Sequence, residues 1–296
     1  MELLKYLQEI RNPVLDMVNI LFTNLGQETV LVVIMCLMYW CMNKKYAYKM
    51  GFAYFTSGII IQTLKIICTV PRPWLLDSSL KPVEQAVDGA TGYSFPSGHT
   101  QAATSLYGTI AWNTKRKSLK VIMFILILLV AFSRMYLGVH SPLDVTAAMF
   151  VTIITVFIVN YLIDSEFVYQ LRRDTVAAIM LVIPLVVIAF GTMRVLSGDV
   201  DVDNSKDLFK TAGSMIGFVF GWYLEGNVLN FDETYGTNKQ KAVRLIVGLV
   251  TLIVLKFGLK AIFGTDLVQC VCVYGFIMLW AVFLYPWIFT KMQKAK

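Results

Sequence analysis

The stretch HSPLDVTAAMFVTIITVFIVNYLI (140–163) decides the fold. From Val145 to Ile163 it carries no charged residue, and its length approaches the roughly 20 residues that an α-helix needs to cross bilayer hydrocarbon. Lipid offers no partner to an exposed backbone N–H or C=O, so a segment of this kind crosses as a helix. Two further stretches, 175–193 and 267–290, are equally free of charge. The whole chain is 57% hydrophobic and 15% charged, with mean hydropathy +0.66, whereas soluble domains run at about 45–50% and about 25%. These are the proportions of an integral membrane protein.

Working outward, spans are predicted near 27–43, 48–68, 99–114, 118–137, 142–163, 175–195, 209–228, 242–262 and 267–290. The fold class is therefore all-α, a polytopic transmembrane helical bundle of about nine spans. Segment 99–114 differs from the others, because Thr100, Gln101, Thr104, Ser105 and Thr109 make it too polar to face lipid. It is expected at the bundle centre, where small residues allow close helix packing. Residues 1–26 form an N-terminal segment of their own. Leu3, Leu4, Leu7 and Ile10 recur at helical spacing opposite Glu2, Lys5, Glu9 and Arg11, which predicts an interfacial amphipathic helix. Residues 13–24 read as a short, semi-polar continuation of re-entrant character. The opening MELLKYLQEIRNP has no basic n-region and no continuous apolar core, so a cleaved signal peptide is not expected. No internal repeat is found.

The net charge of +7 does not indicate nucleic acid, since the cations lie scattered between apolar segments. They follow topology instead. Lys44, Lys45 and Lys49 share one turn, and Lys115, Arg116, Lys117 and Lys120 share another. Arg172 and Arg173, then Lys239, Lys241 and Arg244, then Lys291, Lys294 and Lys296 complete the set. Nine spans place all five clusters on one side, which the positive-inside rule makes cytoplasmic. The segments 65–99 and 134–144 and the acidic loop 198–207 then share the opposite side. Arg194, Lys256 and Lys260 near outer helix ends read as snorkelling cations. All five cysteines (Cys36, Cys41, Cys68, Cys270 and Cys272) fall in apolar stretches and read as structural thiols. No Cys/His/carboxylate cluster has metal-ligand spacing, so neither a metal nor a cofactor is expected.

The polar residues that remain have a chemistry in common. His140 and Asp144, four apart with Pro142 as a first-turn proline, share a helix face about 5–6 Å apart at Cβ. Asp144 can then hold Nδ1–H of His140 and leave Nε2 free to attack phosphorus. Ser97, Gly98 and His99 open a span after Pro96, at a helix N-terminus suited to an anion. Gly98 lets a phosphate approach the backbone, and Ser97 can cap the helix or donate to a phosphate oxygen. His99 suits general acid work. Lys65, Arg72 and Arg134 supply three cations that can hold a phosphoryl group, with Arg offering paired N–H donors. Taken singly, each piece has a plainer account: a structural His–Asp pair, a serine cap, snorkelling cations.

Together, KIICTVPRP (65–73), PSGH (96–99) and SRMYLGVHSPLD (133–144) closely resemble the three-part signature of the type 2 phosphatidic acid phosphatase superfamily. The resemblance covers roughly residues 27–163, a core bundle, and leaves 164–296 as additional transmembrane helices. It implies His140 as nucleophile, Asp144 as its partner and His99 as acid. Lys65, Arg72 and Arg134 would bind the phosphoryl group, assisted by Ser97 and Gly98. The activity so implied is metal-independent hydrolysis of a lipid phosphate or diphosphate through a phosphohistidine. Phosphatidic acid, undecaprenyl diphosphate, phosphatidylglycerol phosphate and sphingoid-base phosphates all stay open, as does the oligomeric state. The expected setting is a bacterial cell membrane, with the site on the extracytoplasmic side and membrane lipids around it. A lipid translocase that retains the motif, or a phosphotransferase using the same residues, is the alternative. In the 74–98 loop, Trp74, Tyr93 and Phe95 read as interfacial packing, and Asp77, Glu84 and Asp88 as the face of a solvated lid.

Overall fold

The structure, a computed structural model, describes residues 1–165 and 172–294. Among these the regular elements are helices, with no strand. The N-terminal part contains α1 (Glu2–Glu9), α2 (Pro13–Asn24), α3 (Glu28–Leu37) and α4 (Lys44–Cys68). The short α5 (Pro73–Leu76) and α6 (Glu84–Val87) interrupt the loop that leads to α7 (Gly98–Asn113), α8 (Lys117–Tyr136) and α9 (Pro142–Asp164). The C-terminal part holds α10 (Arg173–Leu196), α11 (Val202–Leu224), α12 (Asn238–Phe263), α13 (Leu267–Leu279) and α14 (Tyr285–Lys294).

Local chemistry sets the helix starts. The Asn43 side chain accepts from Tyr46 N to open α4, and Ser97 caps α7. Ser141 and Asp144 form a reciprocal capping box around Pro142 at the start of α9. Among the described residues six helices are long and apolar enough to cross a membrane, or seven if the pair Pro13–Asn24 and Glu28–Met42, bent by 43°, is one span. The expected nine is not reached on those criteria, and the two segments that fall short are α7 and the helix of 209–228, which starts earlier, at Val202. Both lie inside the bundle. Thr100, Gln101, Thr104, Ser105 and Thr109 of α7 are buried among neighbouring helices, so this helix has no lipid-facing stripe to fill.

The C-terminal helices pack by backbone approach. Gly213, Gly217 and Gly221 recur every fourth residue on α11. A Cβ on Gly213 would collide with the backbone of Val271 on α13, and one on Gly217 with the backbone oxygen of Gly275. In a bilayer, where lipid is as apolar as leucine, this shape fit is a main source of helix association.

The basic clusters gather at one end of the bundle. Lys49 Nζ meets Asp164 Oδ2 at 2.6 Å and Asn113 Oδ1 at 2.7 Å. Lys44 Nζ meets Glu225 Oε1 at 2.9 Å, and Arg244 donates to the Trp40 carbonyl at 2.7 Å. Lys296 lies outside the described residues, as does the side chain of Lys294. The three motif segments occupy the other end. The amphipathic α1 divides its apolar residues there: Leu4 and Leu7 are buried against protein, whereas Leu3, Tyr6 and Ile10 stay exposed. Lys5 pairs with Asp77 at 2.9 Å, Gln8 bonds Ser79 O and Lys81 N, and Arg11 reaches Tyr136 O at 2.7 Å. Thus α1 is clamped onto the loop that follows Arg72, and only its outer edge is left for an interface.

Candidate active site

Lys65 and Arg72 are positioned by the end of α4. Thr69 adopts a left-handed φ of 47° that stops the helix, and Pro73 opens α5 directly after Arg72. Both cations are buried and held by carbonyls. Lys65 Nζ donates to Tyr93 O at 2.8 Å. Arg72 donates from Nε to Gly92 O at 3.1 Å, from Nη2 to Thr91 O at 2.6 Å and from Nη1 to Val139 O at 3.1 Å. One guanidinium therefore ties the 91–93 loop to the turn that carries His140.

His140 follows a tight reversal in which Gly138 has φ +76° and both Val139 N and His140 N bond back to Arg134 O. Its Nδ1 lies 3.4 Å from Asp144 Oδ2, and its Nε2 lies 3.0 Å from Arg72 Nη1. Arginine can only donate, so the lone pair is on Nε2 and the proton on Nδ1, facing Asp144. The carboxylate also accepts from Ser94 Oγ at 2.6 Å and from Ser141 N at 2.7 Å. Burial, followed by the nearby charges of Arg72, Arg134 and Lys65, holds the His140 imidazole well below its ordinary pKa of 6.5. That direction favours the neutral imidazole.

Opposite stands the N-terminus of α7. Ser97 N donates to Asp144 O at 3.0 Å, and Ser97 Oγ accepts from Thr100 Oγ1 at 3.1 Å. His99, half-buried, has its ring beside Gly89, where an added Cβ would come within 3.6 Å of Cε1. Arg134, in the last turn of α8, is 1% exposed and donates from Nη1 to Thr23 Oγ1 at 2.8 Å. Its Nε and Nη2 have no partner among the described residues. Two buried guanidinium donors without acceptors are costly, and an anion would satisfy them.

A cavity of about 240 Å³ runs between these groups. Of the residues predicted from sequence, Lys65, Arg72, Gly98, His99 and His140 line it, while Ser97, Arg134 and Asp144 stand behind the lining. Three groups were missed. Ser94 braces the Asp144 carboxylate. Asp207 and Lys210, on α11, enter the same cavity; the Asp207 carboxylate accepts from Lys210 Nζ at 2.9 Å and from Thr91 Oγ1 at 2.6 Å. Their spacing of three, which puts opposite charges on one helix face, was the available signal. No group of three or more His, Cys, Asp or Glu placed to hold a metal occurs among the described residues.

Comparison with known proteins gives two family matches. The PAP2 superfamily model matches residues 46–167, and the model described as PAP2 superfamily phosphatase, transmembrane extension, matches residues 209–296. Phosphatidylglycerophosphatase B of Bacillus subtilis (strain 168) is 26% identical over 111 residues, an alignment covering 34% of this chain and 54% of that protein. The match thus spans about half the length of that curated relative. Among solved structures, Aquifex aeolicus LpxE is 26% identical and superposes with a TM-score of 0.44, over 54% of this chain and 93% of that one.

Proposed function

This chain belongs to the PAP2 superfamily, and on that premise we propose that it is a membrane-embedded phosphatase that hydrolyses a lipid phosphate through a phosphohistidine on His140. The observation that carries the reading is the orientation of His140, whose Nε2 lone pair faces the guanidinium of Arg72 while Nδ1 faces Asp144. An entering phosphate oxygen takes over the Arg72 Nη1 donor and frees Nε2. Lys65 and the Nε and Nη2 donors of Arg134 complete a cationic cradle, and the α7 N-terminus at Gly98 adds its partial positive charge.

Nε2 then attacks phosphorus in line with the departing oxygen. The P–O bond to the lipid breaks as the N–P bond forms, and His99 protonates the leaving oxygen. Asp144 faces the positive charge that develops on the imidazole. Water, deprotonated by the now neutral His99, attacks the phosphohistidine, regenerates His140 and releases inorganic phosphate. Fixed cations supply the charge neutralisation, so no divalent metal is needed in this scheme. With the basic clusters cytoplasmic, the site opens to the outer leaflet. The name of the Bacillus relative makes phosphatidylglycerol phosphate the first substrate to try, with phosphatidic acid and a polyprenyl diphosphate beside it.

A lipid translocase would not need an oriented nucleophile, and this weighs against that alternative. The test is phosphate release by purified protein in detergent, with a chelator present, with orthovanadate and with His140→Ala. Turnover that resists the chelator, stops with vanadate and is lost in the variant is expected. A parent protein that releases no phosphate from any of the three lipids would overturn the reading.

A further inference from the structure

A second cavity, of about 390 Å³, adjoins the phosphate site. The two share Glu28, Tyr54, Phe55, Ser214 and Tyr274 as lining, so they adjoin at these side chains. Below that junction the character changes from polar to apolar: Val32, Met35, Leu252, Ile277 and Phe218 line the walls. The charged residues that line it, Glu28 and Lys256, both belong to the end where the phosphate site opens. On the side toward the bilayer, Val33, Ile253 and Phe257 are exposed, so the cavity is a groove with a lateral mouth between α3 and α12.

Its depth can be read from α3. The lining runs from Glu28 to Tyr39, eleven residues along a helical path, or about 16 Å at 1.5 Å per residue. Half of a hydrocarbon core about 30 Å thick is about 15 Å. The groove is thus about as long as one leaflet is deep; it begins at the phosphate site and ends at Ala47 and Tyr48, beside the basic cluster of Lys44 and Lys49.

We infer that this groove binds one hydrocarbon chain of the lipid phosphate substrate, of about the length of a chain in a single leaflet. The inference rests on the phosphatase reading of the adjoining site. The shared lining, the length of about one leaflet and the lateral mouth all fit a chain still attached to the phosphate being cleaved. Bilayer lipid is as apolar as the groove, so transfer of the chain gains little hydrophobic free energy. The groove works instead through shape, placing the phosphorus against His140 and selecting chain length. Three of its helices, α11, α12 and α13, are C-terminal to the catalytic motifs, which assigns this part of the chain a role in substrate selection.

Val32→Trp would fill the groove at mid-depth. The readout is kcat/KM for dipalmitoyl and dihexanoyl phosphatidic acid in mixed micelles, each relative to the parent. A fall of about tenfold or more in the long-to-short ratio is expected, the size of discrimination that apolar pockets reach. Leu37→Trp, on the same helix but outside the groove lining, should leave both activities unchanged. If Val32→Trp reduces both substrates equally, or neither, the groove does not hold the chain. Should that variant fail to fold, the parent is illuminated with a phosphatidic acid analogue bearing a diazirine near its chain end. Label on the peptides around Tyr39 and Leu252 supports the inference, and label confined to α8–α10 overturns it. A parent inactive on both substrates would refute the phosphatase reading itself, a separate outcome.

Discussion

Asp144→Asn is the substitution that isolates electrostatics from architecture at this site. Asp144 Oδ2 accepts from Ser94 Oγ at 2.6 Å and Ser141 N at 2.7 Å, and it stands 3.4 Å from His140 Nδ1. An asparagine oxygen can still accept from Ser94 and Ser141, so the capping box and the start of α9 survive. The loss is the charge facing an imidazole that becomes cationic as Nε2 attacks. At the observed 3.4 Å and an effective dielectric of about 20, that attraction is worth about 5 kcal/mol. Each 1.36 kcal/mol is tenfold in rate, so a loss of about 10³–10⁴ in turnover is expected. The assay is phosphate release by the purified variant, alongside a thermal melt and a rapid quench for labelled phosphohistidine. A variant that melts within a few degrees of the parent and forms the intermediate slowly fits the argument. A folded Asp144→Asn with less than a tenfold loss would remove the carboxylate from the chemistry and leave it a cap.

Four further outcomes follow from the structure. Because burial and neighbouring cations hold His140 well below 6.5, the acidic limb of kcat/KM should lie below that of a free imidazole; a limb at or above 6.5 would contradict the site electrostatics. The sign for stability is opposite: below pH 6.5 the unfolded chain binds the proton that the folded ring refuses, so His140 makes the fold less stable as pH falls, read as a declining Tm that His140→Gln relieves. Gly217→Leu should destabilise the α11–α13 contact by at least about 1–3 kcal/mol through overpacking, seen as a lower Tm in detergent, with Gly258→Leu, where no atom lies within 4 Å of an added Cβ, as the tolerant control. Cysteine placed at exposed Ser79 should react with an impermeant maleimide in intact cells and cysteine at exposed Ser118 should not; the reverse pattern would put the site at the inner leaflet.

What the sequence determined by itself was whatever depends on short separations. Charge-free runs of span length and the absence of hydrogen-bond partners in lipid specify helices, as at 145–163. His140 and Asp144 are four residues apart and the Ser97 cap spans three, so both pairings were legible before any contact was known, although His140 stands in the turn before the Ser141 cap and meets Asp144 through the capping box, not across a helix face. The polarity of 99–114 indicated a central helix, because a helix with that many hydroxyls has no stable place against lipid. Gly213, Gly217 and Gly221 stood in the sequence with the spacing of a close helix contact, yet only a partner with its own glycine at 275 makes that spacing meaningful.

Tertiary structure alone decided how the distant segments meet. Arg72 facing Nε2 of His140 joins residues 68 positions apart, and the resulting tautomer depends on that contact and not on spacing. Asp207 and Lys210 lay in what read as an outer loop and span, and they became cavity residues because α11 starts at Val202 and packs beside α4. Two buried donors of Arg134 were left unpartnered by the same packing. The apolar groove could not be read from hydropathy, since a residue that lines a groove and one that faces lipid are equally apolar. What separates them is whether other helices stand opposite, and that is set by the long-range packing that brings residues of α3, α4, α11, α12 and α13 around one groove.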